Sequence, residues 1–418
     1  MKPRAMSFQI PDFMRRSATL RWLRHLWAER FSPGGRRLFI ASGLFFGYGS
    51  TSLELQVFVP LLYLCVLWSV AFFVMLLERP RAELKVQHAS RTRAGDSLPI
   101  EVEIISRRAT ARDWRVTAHR LPRGLELDSP RGAMLPTLKR GQSGRVGLSL
   151  KAGRRGAYEL RGWRVETDFP FGLLVASRVW KSDSLLLVHP RWTPLQRLEL
   201  PAGRRYQPGG VAMATARGES LEYIGNRDFR EGDDVRHVDW RATARLQTPI
   251  VREYREEYFL RAAVVLDTFA DSADPDHENF ERAVSLCASV SDYMAREDYL
   301  VDLFAAGPQI YHLTSGRSLA YLEQILDILA CVEISQAAPF ENLEPEIESL
   351  LAQITTIICV FLDWTPERRA FVERLAHEGA AIKILIARDT PPLLEWENER
   401  FEIILVPRIW YQSGVMEL

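Results

Sequence analysis

Residues 55–77 read LQVFVPLLYLCVLWSVAFFVMLL, a 23-residue apolar run whose main polar interruption is Gln56. A run of that length matches the roughly 30 Å hydrocarbon core of a bilayer, and few soluble folds have room for it. The stretch before it, residues 38–53, is apolar but shorter and holds Gly43, Gly47 and Gly49. It spans if Arg36 and Arg37 snorkel to the interface. Only a few residues separate the two runs, so residues 38–77 read as a two-helix transmembrane hairpin. Arg36 and Arg37 precede it; Arg79, Arg81 and Lys85 follow it. Positive flanks stay in the cytoplasm, which predicts a two-pass anchor with soluble domains on that side. The run starts too late, and lacks a small-residue cleavage site, for a removable signal peptide.

Charge is unevenly spread. Over 418 residues, 54 Lys and Arg against 53 Asp and Glu leave a net charge of +1, which excludes a globally basic nucleic-acid binder. Residues 1–37, a basic cytoplasmic N-terminal segment, carry nine Lys or Arg against Asp12 and Glu29. There Leu20, Leu23, Leu26 and Trp27 recur at helical spacing among arginines. That pattern fits a basic amphipathic helix on anionic lipid, or a basic tail that only orients the hairpin. The four cysteines (Cys65, Cys287, Cys331, Cys359) are far apart in apolar surroundings, so neither a zinc site nor a disulfide framework is indicated.

From residue 82 to 190 the hydrophobic period changes to two. ELKVQHAS, LPIEVEIISR, WRVTAHRL, GRVGLSLKAG, AYELRGWRVETD, LLVASRVW and DSLLLVHP alternate between turn-forming stretches such as Ala94-Gly95-Asp96. About seven short strands predict an immunoglobulin-like β-sandwich, without the Cys-Trp-Cys core.

Residues 261–418 alternate strand and helix. AAVVLD (262–267) and ITTIICVFLD (354–363) are buried-strand runs ending in Asp. Asp274-Pro275-Asp276 opens a helix that carries Phe280, Val284, Cys287, Ser291 and Met294 on one face, and Thr365-Pro366 opens another. The pattern predicts a doubly wound α/β domain with a mostly parallel sheet. Asp267 and Asp363 would lie at the carboxyl ends of the strands, where open sheets bind ligands. Two such carboxylates with neighbouring hydroxyls could hold a hard cation.

Between these domains, residues 191–260 contain GESLEYIGNRDFREGDDVRHVDWRATARLQTPIVREYREE. The spacing of Arg227, Phe229, Gly232, Asp233, Asp234, Arg236, Val238, Asp239, Trp240, Arg241, Ala244 and Arg245 closely resembles the signature of the bacterial domain of unknown function 58 (DUF58) family. The Asp-Phe-Pro-Phe-Gly-Leu stretch and the run ending at Pro190 are also similar to that family's upstream β-domain. The resemblance implies a von Willebrand factor A-like C-terminal domain. Such domains often bind magnesium through Asp-x-Ser-x-Ser and a distant second Asp. Here Asp267 and Asp363 stand at the two Asp positions, with Phe269 in place of the first serine and Asp271 in place of the second, so Asp267, Asp271 and Asp363 are the metal candidates. The resemblance further implies a bacterial inner-membrane protein. Its expected partners are a MoxR-type AAA+ ATPase and a transglutaminase-like membrane protein, because relatives tend to be encoded beside both.

Read physically, Glu231-Gly232-Asp233-Asp234 is turn chemistry, Trp240 is a large amphipathic anchor, and the arginines at 227, 230, 236, 241 and 245 offer forked donors to Asp233, Asp234 and Asp239. This pairing could pin the segment onto the α/β domain, or the segment could dock a partner. Three functions follow: a membrane-anchored interaction protein or adaptor, a magnesium-type ligand-binding domain, and an enzyme such as a hydrolase. The last has least behind it, since no P-loop, HExxH, GxSxG or GxGxxG occurs.

Overall fold

The computed structural model describes residues 27, 29–49, 55–201, 221–230, 232–256, 261–269, 278–306, 310–313, 319–335, 340–351, 354–397, 399–413 and 417–418. The chain divides into two compact units, Met1–His189 and Pro190–Leu418. Most of the expected N-terminal amphipathic helix, the hairpin connection, the Asp274-Pro275-Asp276 cap and Asp271 lie outside the described residues.

In the first unit, helices run from Pro33 to Gly49 and from Leu55 to Leu77. The first begins earlier than the apolar pattern indicated. Pro33 supplies the fixed φ of a first helical position, and Ser32 Oγ accepts the Gly35 amide at 2.8 Å, so a polar turn precedes the greasy one. Trp68 Nε1 donates to Ser42 Oγ at 3.3 Å and ties the helices together. Among the described residues, Phe58–Leu77 is long and apolar enough to cross a membrane. Leu62, Tyr63, Val66, Phe72 and Phe73 stand exposed along it, which suits lipid and would be costly in water.

The β-region of this unit has two larger sheets over one core. One orders its strands Ala82–His88, Ser97–Ser106, Ser143–Ala152 and Leu125–Leu127, all antiparallel. The other orders Arg91–Arg93, Ala176–His189, Gly156–Thr167, Arg115–Ala118 and Ala133–Met134. Alternation along Ser97–Ser106 sends Leu98, Ile100, Val102 and Ile104 inward, where they share a core with Trp163, Val165, Leu186 and Val188 of the other sheet. LLVASRVW and DSLLLVHP, read as two strands, form one 14-residue strand. The break in their alternation is absorbed by a bulge in this long strand: Leu160 pairs with Ser184 and Gly162 with Lys181, so Ser182 and Asp183 stand opposite one residue of the partner strand. Gly162 is required there: its φ is +140°, and a Cβ would lie 2.2 Å from the Trp180 carbonyl oxygen.

The second unit centres on a six-stranded sheet ordered Ile310–Leu313, Leu300–Ala306, Arg261–Leu266, Thr356–Phe361, Ala381–Ile386 and Glu402–Leu405. All neighbours are parallel except the antiparallel edge strand Ile310–Leu313. Because successive side chains alternate, Arg261–Leu266 serves two cores. Ala262, Val264 and Leu266 pack with helices Glu278–Arg296 and Leu319–Cys331, while Ala263 and Val265 pack with Phe340–Glu348 and Pro366–His377. Strand order reverses between Arg261–Leu266 and Thr356–Phe361, so Asp267 and Asp363 emerge beside the topological switch point.

Candidate functional site

The signature segment builds a small module of its own. Leu221–Asp228 and Ile250–Glu256 pair antiparallel, and the residues between them form a tight turn, a 3-10 turn over Val235–His237 and a short helix over Trp240–Leu246. Gly232 turns the chain at φ +104°. Asp233 then accepts both arms of the Arg227 guanidinium, at 2.6 and 2.8 Å, and the Arg230 amide at 2.8 Å. The Arg227 fork, with the backbone amide next, holds the Asp233 carboxyl down at about 2. Asp234 caps the 3-10 turn through the Arg236 amide at 2.9 Å. Asp239 caps the helix by accepting the Arg241 and Ala242 amides, and its other oxygen takes Arg252 Nε at 3.3 Å. The Ala242 amide leads in lowering its pKa. Val238, Ala242, Ile250 and Val251 form the buried floor.

This arrangement corrects the expected pairing. Among the described residues, Arg227 alone of the five foreseen arginines forms an ion pair with the three aspartates, and Arg252, not singled out from sequence, supplies a second. Asp234 and Asp239 are spent mainly on backbone amides. Among the described residues Arg236, Arg241 and Arg245 make no side-chain ion pair and stand exposed. Trp240 is no buried anchor either: it is 67% exposed. Phe229, Val235 and Leu246 join it, so the residues from Phe229 to Leu246 present four large apolar side chains to solvent among free guanidinium groups. Aromatic and arginine side chains in that state are what protein interfaces favour.

The strand-end carboxylates are arranged differently. Asp267 is wholly buried. It accepts the Phe269 amide at 2.9 Å, the Leu362 amide at 3.0 Å and Arg368 Nε at 2.7 Å. The Arg368 guanidinium, itself buried, also donates to the Phe269 carbonyl at 2.8 Å and to Thr365 Oγ1 at 3.2 Å, and it lies near the Phe269 and Phe340 rings. Asp363 accepts the Trp364 and Leu393 amides at 2.7 and 3.0 Å and pairs with Arg388. Each carboxylate therefore already has a fixed cation. A divalent ion at Asp267 would have to displace a buried, saturated guanidinium or sit against it. Among the described residues the donors at Asp267 and Asp363 do not fit magnesium, and no three His, Cys, Asp or Glu side chains cluster for a metal. Burial pushes the Cys287 thiol up to about 12 and raises Cys359 as well, so neither is a ready nucleophile.

Comparison with known proteins agrees with the signature. The model of the family described as protein of unknown function DUF58 matches residues 225–364, from the signature hairpin to the strand-end Asp363 region. An uncharacterized protein, YeaD of Bacillus subtilis (strain 168), is 24% identical over 258 residues. That alignment covers 60% of this chain and 62% of the relative, so it spans less than two thirds of the relative's length.

Proposed function

We propose, from the premise that residues 225–364 carry the DUF58 family match, that the chain is a membrane-anchored adaptor whose signature module docks a protein partner. In this reading both N-terminal helices enter the bilayer as a two-pass hairpin in the bacterial inner membrane, and the soluble domains face the cytoplasm. The β-region serves as an immunoglobulin-like spacer. The C-terminal sheet, with its reversed strand order and single antiparallel edge, is taken as von Willebrand factor A-like.

The observation that carries the proposal is the exposure of Trp240, Val235, Leu246 and Phe229 beside Arg236, Arg241 and Arg245 in the segment that the family match includes. Such a surface suits a partner with apolar sockets rimmed by acidic residues. The apolar side chains would supply affinity, and the arginines on-rate and register. The partner class, a MoxR-type AAA+ ATPase acting with a transglutaminase-like membrane protein, comes from the family resemblance. The proposed work is non-enzymatic: assembly or activation of envelope-linked proteins by the ATPase, with this chain as its membrane adaptor. The arginine-filled Asp267 favours this reading over a magnesium-dependent one.

The test is site-specific photocrosslinking in intact membranes, with the crosslinker at position 235 of the full-length chain. An AAA+ ATPase adduct that disappears in Trp240→Ala supports the proposal. A well-expressed, membrane-integrated chain that gives no ATPase adduct under any growth condition overturns it.

A further inference from the structure

The residues just before the first helix do not hang free. The Val175 amide donates to the Arg30 carbonyl at 2.7 Å, the Ser32 amide donates to the Leu173 carbonyl at 3.0 Å, and Phe31 bridges Leu174. This seam fixes Trp27 and Phe31 against Phe39 and Trp68, with ring centroids 5.0 to 5.7 Å apart. Beside that cluster lies a groove of about 550 Å³. Its wall is apolar, from Phe39, Trp68, Phe72 and Leu76, and its rim carries two cations, Arg30 and Arg79.

The two arginines are in an unfavourable position as they stand. Arg30 Nη1 is buried and, among the described residues, has no hydrogen-bond partner. Burial, and next the charge of Arg79, lower the Arg30 pKa; neighbouring Glu29 raises it, but that carboxylate is paired with Arg164 at 3.2 Å. An unsatisfied buried donor on a cation facing another cation calls for an anion. The groove also lies at the Glu78 end of the Phe58–Leu77 run, where acyl chains give way to headgroups if that helix spans. Phe39, Phe72 and Leu76 are exposed along it, so a bilayer has open access.

We infer that this groove is a binding site for one anionic phospholipid, with its phosphate held between Arg30 and Arg79 and an acyl chain lying on Phe39, Trp68, Phe72 and Leu76. Charge complementarity selects the occupant: a zwitterionic lipid brings its own cation to the same rim, and an apolar peptide leaves Arg30 unsatisfied. The inference rests on the membrane reading above, but it is more specific, because general attraction of basic residues to a membrane needs no groove.

The experiment places the full-length chain in nanodiscs of equal parts phosphatidylglycerol and phosphatidylcholine, and native mass spectrometry then reads the lipids that it retains. Phosphatidylglycerol is expected to be enriched, by about fivefold for each arginine. Arg79→Gln, at an exposed position, should lower that enrichment by about fivefold, and Arg30→Gln/Arg79→Gln should abolish it. Phe72→Ala should reduce retention of both lipids without changing their ratio. Excess inorganic phosphate should leave the bound lipid in place. Equal retention of the two lipids, enrichment unchanged by Arg79→Gln, or complete displacement by phosphate would each overturn the lipid site. Flotation of the same chain with vesicles of that composition separates the two levels. A chain that floats but shows no enrichment loses only the lipid site, whereas a chain that does not float loses the membrane reading as well.

Discussion

Replacing Arg368 with Met tests whether the guanidinium is the resident counter-ion of the switch-point carboxylate. The substitution keeps most of the side-chain volume and removes the charge. Asp267 would retain the Phe269 and Leu362 amides but lose its ion pair with Arg368, in a fully buried setting. Breaking a buried pair from one side costs about 3–5 kcal/mol, because the remaining charge has no solvent. Each kcal/mol moves the midpoint of a unit this size by about 2–4 °C, so the C-terminal transition should fall by roughly 6–20 °C. The double change Asp267→Asn/Arg368→Met removes both charges and should recover much of the loss, giving a coupling energy in a thermodynamic cycle. Calorimetry of the detergent-solubilised full chain, with magnesium and then with a chelator, reads the four forms of the cycle: wild type, Arg368→Met, Asp267→Asn and the double change. Magnesium should not move the wild-type midpoint. A loss below about 1 kcal/mol for Arg368→Met, or a wild-type midpoint raised by magnesium, would refute the reasoning.

Other consequences follow from the same structure. Because the Asp233 carboxyl is held at about 2 in the folded module, its stabilisation is fully present above the ordinary carboxylate range and is lost as pH falls through about 2. Hydrogen exchange of the signature hairpin should stay protected near pH 4 and loosen towards pH 2, and Asp233→Asn should flatten that dependence. Gly35→Ala places a Cβ 1.9 Å from the Leu173 carbonyl oxygen, so it should break the seam between helix and β-region and cost the first unit about 1–3 kcal/mol of stability, read as a lower melting midpoint. A C-terminal tag should be cleaved by protease in inverted membrane vesicles and spared in right-side-out ones.

How much of this was legible in the sequence depended on how local the cause was. The period-two runs and the buried strands ending in Asp were visible because each strand carries its own pattern, as Ser97–Ser106 and Arg261–Leu266 show. The start of the first helix was missed because its first turn, Pro-Gly-Gly-Arg-Arg, is polar; the signals were Ser32 and Pro33 rather than hydrophobicity. Asp267 stood out as a strand-end carboxylate, but its partner lies 101 residues away, and nothing local to either residue announces the pair. Thr365-Pro366 did place a helix start beside Arg368, which is the one clue that a cation would reach the switch point. Trp240 misled for a physical reason. Tryptophan is usually buried, but the helix it opens is seven residues long, and its buried position is taken by Ala242.

The central claim is that the exposed face of the signature module is a docking surface. Its most direct test is the affinity of the full-length chain, in nanodiscs, for the purified AAA+ ATPase, compared between wild type and Trp240→Ala. The side chain is exposed, so its removal should leave the melting midpoint unchanged while weakening binding by about 2 kcal/mol or more, roughly thirtyfold. Equal affinity for the two proteins, with both folded and membrane-bound, would contradict the account.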